Sequence, residues 1–262
     1  MFLFRLASAL AAVARGGRGI SAALLDLLAP ESCRACGETV AGASPLCARC
    51  LQAVGWIGDA CLRCGTPVTP ARPTETFPRC AACRRERWAF HRAVAAAEYA
   101  GPLRALVLAH KYGADRGARR FLVSAMRWAA CRDDALLRAI RDGGNERWVV
   151  TSVPQHLLKR VARGRDPARE LAESLARDLR LPYRSLLRKV RWTVAQSSLR
   201  RRDRKRRPRG SFAPRWRFRR LPRLSVLLVD DVLTTGTTAS ECARVLRAAG
   251  AEQVVVLAAG RS

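Results

Sequence analysis

Two adjacent carboxylates, Asp230 and Asp231, precede a short segment that is dense in threonine and glycine. This segment, Thr234 to Thr238, offers hydroxyls and closely approachable backbone N–H groups, which are donors for phosphate oxygens. Ionised carboxylates only accept hydrogen bonds, so the acidic pair suits sugar hydroxyls or a hydrated magnesium ion. A phosphate site beside a diol site describes a ribose 5-phosphate. The alternative for the carboxylates alone is an acidic strand end that caps the following loop.

Eight of the ten cysteines form four C-x-x-C pairs, separated by ten, ten and fifteen residues. Each pair directs two thiolates at one centre, and two pairs complete a tetrahedral four-thiolate zinc site. This segment has too few apolar residues for its own core, so metal binding would supply its folding free energy. We predict two structural Zn²⁺ ions, with adjacent and interleaved pairing both open. The ligands would be Cys33, Cys36, Cys47, Cys50, Cys61, Cys64, Cys80 and Cys83.

Two glycines and two further cysteines complete the predictions around these pairs. Gly37 and Gly65 directly follow the second cysteine of their pairs, where a tight turn favours a residue that can adopt positive φ. Cys131 and Cys242 lie in helical patterns, and we expect both to be small core residues.

The elements that must position the acidic pair form a predicted βαβ unit. An apolar β-branched run, residues 224–229, suits a buried strand of a parallel sheet. A helical pattern closed by Gly250 follows, and QVVVLAA is typical of the next strand. Residues 234–238 would lie at the N-terminus of that helix, which is a natural phosphate site.

Further strand patterns, residues 92–100 and 148–154, alternate with helices that include one long helix expected over residues 117–141. This alternation predicts an α/β fold with a mainly parallel sheet flanked by helices on both faces.

Two basic segments would lie near the ligand side of this sheet. Cations after Pro154 suit a pyrophosphate leaving group, although they equally describe a solvated basic loop. They are Lys159, Arg160, Arg163 and Arg165. Residues 200–209 hold eight cations and almost nothing apolar, so we expect a mobile segment. Three roles stay open for it: a hood over a phosphorylated substrate, a grip on a nucleic-acid backbone, or a solvated linker.

The 262-residue chain has 49 Lys and Arg against 21 Asp and Glu, a net charge of +28. This balance favours polyanions such as nucleic acid or phosphorylated metabolites, although a bias towards Ala and Arg explains part of it. The apolar stretch in residues 1–30 is too short for a bilayer span and is interrupted by Arg5. We therefore predict a cytoplasmic protein without stable membrane insertion. Its parts would be a helical segment (1–30), a double zinc ribbon (31–88) and an α/β domain (89–262).

The string DDVLTTGTT resembles the signature of type I phosphoribosyltransferases, which bind 5-phosphoribosyl 1-pyrophosphate (PRPP). The resemblance implies that Asp230 and Asp231 meet the ribose hydroxyls and act in catalysis. It further implies that PRPP, with Mg²⁺, is bound by these two residues together with Val232, Thr234, Thr235, Gly236, Thr237 and Thr238. The cations after Pro154 would then take the pyrophosphate.

The order of the motifs is similar to that of the ComF (competence protein F) family, to which the relative GntX also belongs. The order is a double zinc ribbon, a KYG segment, VP…R-x-x-RG…A, Q-x-x-L…R…F and the PRPP loop. Matching residues are Lys111, Tyr112, Asp115, Arg163, Gly164, Ala168, Gln196, Leu199, Arg204, Gly210 and Phe212. Departures from the family pattern are Ala114, Arg165, Asp166, Pro167 and Arg207.

The ComF resemblance implies a type I phosphoribosyltransferase-like domain behind the zinc ribbon. It also implies a link to natural transformation, in which imported single-stranded DNA is handled. Three functions follow from it. The chain would transfer phosphoribosyl groups from magnesium–PRPP to an unidentified nitrogen acceptor, or act as a non-catalytic single-stranded DNA adaptor among competence proteins. As a third alternative, it would sense PRPP without turnover.

Overall fold

The computed structural model describes residues 31–40, 44–68, 80–155, 164–190, 210–221 and 223–262, with the backbone alone at 144 and 145. The predicted N-terminal helical segment and the basic run 200–209 lie outside these residues. The chain groups into two compact units: Met1–Gly55 with Ala100–Ser124, and Trp56–Tyr99 with Ala125–Ser262. The first unit contains the first four zinc-ribbon cysteines, and the second contains the other four together with the sheet. The domain boundaries expected from the sequence stay a prediction.

The described helices and strands are numbered here in chain order. The α-helices are α1 (Ala48–Gln52), α2 (Ala81–Arg85), α3 (Gly101–Gly113), α4 (Arg116–Arg132), α5 (Asp134–Arg147), α6 (Pro167–Asp178) and α7 (Thr237–Ala248). The strands are β1 (Arg92–Glu98), β2 (Trp148–Ser152), β3 (Leu187–Lys189), β4 (Phe212–Pro214), β5 (Ser225–Leu233) and β6 (Gln253–Arg261). A short 3₁₀ turn covers Trp216–Phe218.

The central sheet has four strands in the order β1-β6-β5-β2, and every neighbouring pair is parallel. Strands β5 and β6 are central, and nearly all their residues are buried, as strands covered on both faces require. Helix α6 packs on β2 and β5, while α7 packs on β5 and β6. The predicted fold class, a parallel α/β sheet flanked by helices, is confirmed. Strands β3 and β4 form a separate antiparallel pair.

The prediction of one long helix over residues 117–141 is wrong, because the chain forms two helices, α4 and α5, that are separated at Asp133. The Asp133 carboxylate accepts a hydrogen bond from the Leu136 backbone N–H at 2.9 Å, so it begins α5 as an N-terminal cap. Helix α5 then continues through Gly143, where the sequence predicted an end. The Trp148 indole lies against Gly143 and donates to the Ala139 carbonyl at 2.8 Å, which stabilises that last turn.

The two cysteines outside the zinc pairs have different environments. Cys242 on α7 is fully buried beneath the sheet, as expected for a small core residue. Cys131 on α4 is exposed, so the core assignment is wrong there. Among the described residues, none of the helices has both the length and the apolar composition for a bilayer crossing.

Candidate functional site

The segment predicted to hold phosphate forms the connection between β5 and α7. Residues 234–236 are the whole link, because β5 ends at Leu233 and α7 begins at Thr237. Gly236 occupies the N-cap position with φ 76°, a left-handed conformation that favours glycine. Glycine has no side chain that could cap the helix, so the N-cap residue leaves the first N–H groups of α7 without a side-chain acceptor. Such a helix start is suited to an anion.

Hydroxyl groups surround this helix start. The side chains of Thr235 and Thr237 are 3.0 Å apart at their Oγ1 atoms, and both are half-buried. Thr234 and Thr238 are also half-buried. The structure therefore brings all five predicted loop residues together at one turn, with donors from both backbone and side chains.

The sequence predicted that the acidic pair would follow the end of the strand. In the structure, both carboxylates lie inside β5, which continues to Leu233. Val232 and Leu233 extend the strand because they continue the ladder opposite Gly260 and Arg261 of β6. Successive strand side chains alternate between faces, so the two carboxylates point to opposite sides of the sheet. Asp231 is 7% exposed, whereas Asp230 is half-buried and accepts a hydrogen bond from the Asp231 N–H at 2.9 Å. Asp230 is therefore the more accessible of the two carboxylates.

Strand β2 lies beside β5 and ends at the same edge of the sheet. Ser152 pairs with Val229 in register, and its hydroxyl is 3.2 Å from the Tyr183 hydroxyl. Of the four cations predicted to follow this strand, Lys159, Arg160 and Arg163 lie outside the described residues. Arg165 is described, and its guanidinium forms an ion pair with Glu170 in the first turn of α6, with Nε 2.8 Å from Oε1. The structure thus engages Arg165 with a carboxylate of its own chain.

Glu241 on α7 is a residue that the sequence did not single out. Its buried Oε1 accepts hydrogen bonds from the backbone N–H groups of Gly210 and Ser211, at 2.9 and 2.8 Å. These two residues follow the basic run in the chain, so Glu241 fixes where the chain leaves that run. A buried glutamate one turn into a helix gives no portable sequence signal, because its partners are backbone groups 30 residues away.

The eight paired cysteines form two four-sulfur clusters with adjacent pairing. Within each cluster the sulfur atoms all lie within 4.8 Å of one another. A tetrahedral site with zinc–sulfur bonds of about 2.3 Å places its sulfurs about 3.8 Å apart. The Cys36–Cys47 and Cys64–Cys80 sulfur separations are 3.8 and 3.5 Å, so the donor sets fit zinc. We call Cys33, Cys36, Cys47 and Cys50 the first zinc site, and Cys61, Cys64, Cys80 and Cys83 the second zinc site.

The first C-x-x-C turn of each zinc site, which we call its first knuckle, has the same backbone hydrogen bond in both sites. Gly37 and Gly65 donate their N–H groups to the carbonyls of Cys33 and Cys61, each at 2.8 Å. Both glycines have positive φ, 79° and 68°, so that prediction is confirmed. Asp115, a match to the ComF pattern, contacts the first site, since its carboxylate binds Arg34 of that knuckle at 2.5 Å. Its role in the described structure is therefore structural.

The thiols of each site differ in how readily they ionise. Burial raises the pKa of Cys61, but hydrogen bonds from the Cys80, Cys64 and Arg63 backbone outweigh burial and lower the pKa to about 7. The same balance lowers the pKa of Cys33 to about 6. Burial raises the pKa of Cys50 to about 12. Cys33 and Cys61 thus ionise near neutral pH, whereas zinc must displace the proton of Cys50.

Comparison with known proteins gives matches to a family model, to individual proteins and to a solved structure. A double zinc ribbon family model matches residues 24–84. Competence protein F of Haemophilus influenzae is 27% identical over 188 residues, which cover 70% of this chain and 78% of that protein. DNA utilization protein YhgH of Salmonella typhimurium is 29% identical over 215 residues, which cover 80% of this chain and 88% of that protein.

Among solved structures, the allosteric regulatory enzyme of purine biosynthesis matches with 21% identity and a TM-score of 0.35. The match covers 58% of this chain and 30% of that enzyme.

The fold and the two sulfur clusters define a class: an α/β protein with a parallel sheet and a double zinc ribbon that holds two structural zinc ions. These matches confirm the resemblance to the ComF (competence protein F) family that the order of the motifs predicted.

Proposed function

We propose that this protein binds magnesium–PRPP at the turn between β5 and α7 and transfers its phosphoribosyl group to a nitrogen acceptor. The observation that carries the proposal is the uncapped start of α7, with its threonine hydroxyls, directly after the two carboxylates of β5. A 5-phosphate would take the N–H and hydroxyl donors, and a ribose hydroxyl would take the Asp230 carboxylate. Its resemblance to the ComF family supports the same interpretation of the loop.

Each residue of the turn and of the acidic pair would bind the part of PRPP that suits its chemistry. Thr234, Thr235, Gly236, Thr237 and Thr238 would bind the 5-phosphate, next to Val232 at the end of the strand. Asp230, the more accessible carboxylate, would accept from a ribose hydroxyl, and buried Asp231 would add negative potential behind it. Mg²⁺, when bound with PRPP, would neutralise the pyrophosphate, and the carboxylate oxygens suit its hydrated form.

In the transfer, the bond between C1 of the ribose and the pyrophosphate oxygen breaks, and the pyrophosphate leaves with the electron pair. A bond from C1 to the acceptor nitrogen forms, and that nitrogen releases its proton to water. Positive charge develops at C1 and the ring oxygen in between, and nearby carboxylates stabilise it. Lys159, Arg160 and Arg163 would neutralise the leaving group, whereas Arg165 would first have to exchange its ion pair with Glu170.

Calorimetric titration of magnesium–PRPP into the zinc-loaded full-length protein tests this function. We expect saturable binding of one PRPP per chain, with ribose 5-phosphate and pyrophosphate each binding more weakly because each occupies part of the site. A screen of nitrogen acceptors, with pyrophosphate release as the signal, then separates an enzyme from a PRPP sensor. The absence of any heat or thermal shift at millimolar magnesium–PRPP would overturn the proposal.

A second candidate, single-stranded DNA handling in the cytoplasm, is favoured by one exposed feature. Trp216 is 71% exposed in the 3₁₀ turn, and the Arg217 guanidinium lies 4.8 Å from its ring centre. Arg215, Arg219 and Arg220 are exposed around it. An aromatic platform among cations is typical of sites that stack bases and bind a phosphate backbone. The names of the relatives, with their references to competence and DNA utilization, support this candidate.

Replacing Trp216 with alanine is expected to weaken binding of an oligothymidine strand by about tenfold, because stacking contributes about 1–3 kcal/mol per base. Trp216→Phe keeps an aromatic face and should retain most of the affinity. Fluorescence anisotropy at two salt concentrations measures both the affinity and its dependence on charge. Equal affinities for the wild type and Trp216→Ala would exclude the platform as the DNA contact.

A further inference from the structure

The second zinc site contacts the same turn that we propose as the phosphate site. One contact runs through Arg261, near the end of β6. Its guanidinium donates to the Leu233 carbonyl at 3.0 Å and also to the Thr234 carbonyl, so it holds the first residue of the turn. The same guanidinium donates to the Cys64 carbonyl at 3.2 Å and to the Thr66 hydroxyl at 2.8 Å.

Thr66 extends this contact to a zinc ligand. Its hydroxyl is 3.1 Å from the Cys64 sulfur. A guanidinium can only donate, so the Thr66 oxygen accepts from Arg261. When zinc is bound, the Cys64 sulfur is a thiolate that can only accept, so the Thr66 hydroxyl then donates its proton to that sulfur. A thiolate accepts such a proton well, and a metal-bound cysteine is a thiolate. Hydrogen bonds therefore connect the Cys64 sulfur to the backbone of Leu233 and Thr234 through two side chains.

Trp88 provides a second connection. Its indole N–H donates to the Cys83 sulfur at 3.3 Å, and its ring stacks on Phe90 with ring centres 5.6 Å apart. The far edge of the same ring lies against Gly236, where an added Cβ would be only 3.3 Å from Cζ3. The indole thus spans the distance between a zinc ligand and the N-cap of α7.

Two neighbouring side chains hold the backbone at Trp88 and Ala89 in place. The Arg63 guanidinium, inside the second zinc site's first knuckle, donates to the Trp88 carbonyl at 2.8 Å. The Ala89 N–H donates to the Ser240 hydroxyl in the first turn of α7 at 3.0 Å. We call residues 234–236 the phosphate turn. Arg261 contacts its first residue and Trp88 contacts its last, and both side chains also contact the second zinc site.

We propose that zinc in the second site fixes the conformation of the phosphate turn, with Thr66, Arg261 and Trp88 as positioning residues. Zinc binding there and PRPP binding are then positively coupled. The coupling to PRPP rests on the proposed function, whereas the effect of zinc on the turn does not. Coupling is reciprocal, so PRPP must raise zinc affinity by the factor by which zinc raises PRPP affinity.

The matched variants Thr66→Val and Thr66→Ser test the first connection. Valine keeps the shape and removes the hydroxyl, whereas serine keeps the hydroxyl. In ligand-free, zinc-loaded protein we expect amide hydrogen exchange in residues 233–238 to accelerate at least tenfold in Thr66→Val and to stay near wild type in Thr66→Ser. Exchange in β2 should be unchanged in both, which separates a local effect from general loss of stability.

Two further measurements address the coupling itself. The Kd for magnesium–PRPP should rise at least tenfold in Thr66→Val, and Thr66→Ser should restore it. In the wild type, saturating PRPP at constant magnesium should raise the equilibrium affinity for one of the two zinc ions at least tenfold, measured by competition with a chromophoric zinc chelator. If Thr66→Val releases its zinc, Trp88→Phe replaces it, since that variant loses both the indole N–H contact with Cys83 and the ring edge against Gly236. Trp128→Phe on α4 is its control.

The outcomes distinguish the two proposals. Faster exchange in the turn without any PRPP binding by the wild type would support the positioning role and overturn the proposed function. PRPP binding by the wild type with unchanged exchange and unchanged Kd in Thr66→Val and Trp88→Phe would overturn the positioning role alone.

Discussion

Replacing both carboxylates of β5, as Asp230→Asn with Asp231→Asn, is expected to raise the Kd for magnesium–PRPP by at least 100-fold. A hydrogen bond that involves a charged group contributes about 1.5–3 kcal/mol, and the double variant loses both the charged acceptor at Asp230 and the negative charge of Asp231 behind it. The fold should persist, because asparagine is isosteric and its side-chain oxygen still accepts the Asp231 N–H bond that Asp230 accepts now. Calorimetry measures the affinity, and thermal unfolding verifies the fold.

The control for this prediction must change the net charge of the protein by the same amount as the double substitution. The double substitution raises the net charge from +28 to +30, which by itself attracts phosphates. Asp178→Asn with Glu252→Gln makes the same change at two exposed positions and should leave the Kd unaltered. If the β5 variant binds PRPP as tightly as this control, the carboxylates do not hold the ribose.

Withdrawal of zinc is expected to have the largest effect on stability. The zinc ribbons bury few large side chains apart from their cysteines, and structural zinc contributes about 10–16 kcal/mol of apparent binding free energy in comparable sites. Chelation should therefore abolish the protected amides of residues 31–68 and make the eight thiols reactive to a thiol reagent. Zinc analysis should give two ions per chain before chelation.

Single cysteine variants make the zinc prediction specific. Cys80→Ser should retain one zinc ion per chain, because the first zinc site has its own four sulfurs. Cys131→Ser removes an exposed thiol outside both clusters and should retain two. Loss of both ions in Cys80→Ser would mean that the two sites do not bind zinc independently.

The local features of the site followed from the sequence because they depend on short spacings. The C-x-x-C pairs, the left-handed Gly37 and Gly65, and the turn between β5 and α7 are each set within about ten residues. The strand extension past Asp231 was missed because the carboxylates suggested an end, whereas pairing with β6 decided the length of β5. The helix break was missed because a single capping carboxylate, Asp133, interrupts an otherwise continuous apolar pattern.

The contacts that join the second zinc site to the phosphate turn could not be predicted from one sequence. Thr66 and Arg261 are 195 residues apart, and Ala89 and Ser240 are 151 apart. These residues meet only because β1 and β5 both pair with β6. Arginine is abundant in this chain, so Arg261 has no local feature that separates it from the solvated arginines.

The strand order has a consequence for synthesis of the protein on the ribosome. The sheet partner of β1 is β6, and roughly 150 residues separate them, so at about 5–20 residues per second β1 waits about 8–30 s for its partner. An unpaired strand edge is an aggregation hazard during such a delay. Most of β1 is alanine, which has a low β propensity and little apolar surface. Among the described strands, β1 therefore waits longest for its partner, and its alanine-rich sequence disfavours pairing with other chains in the meantime.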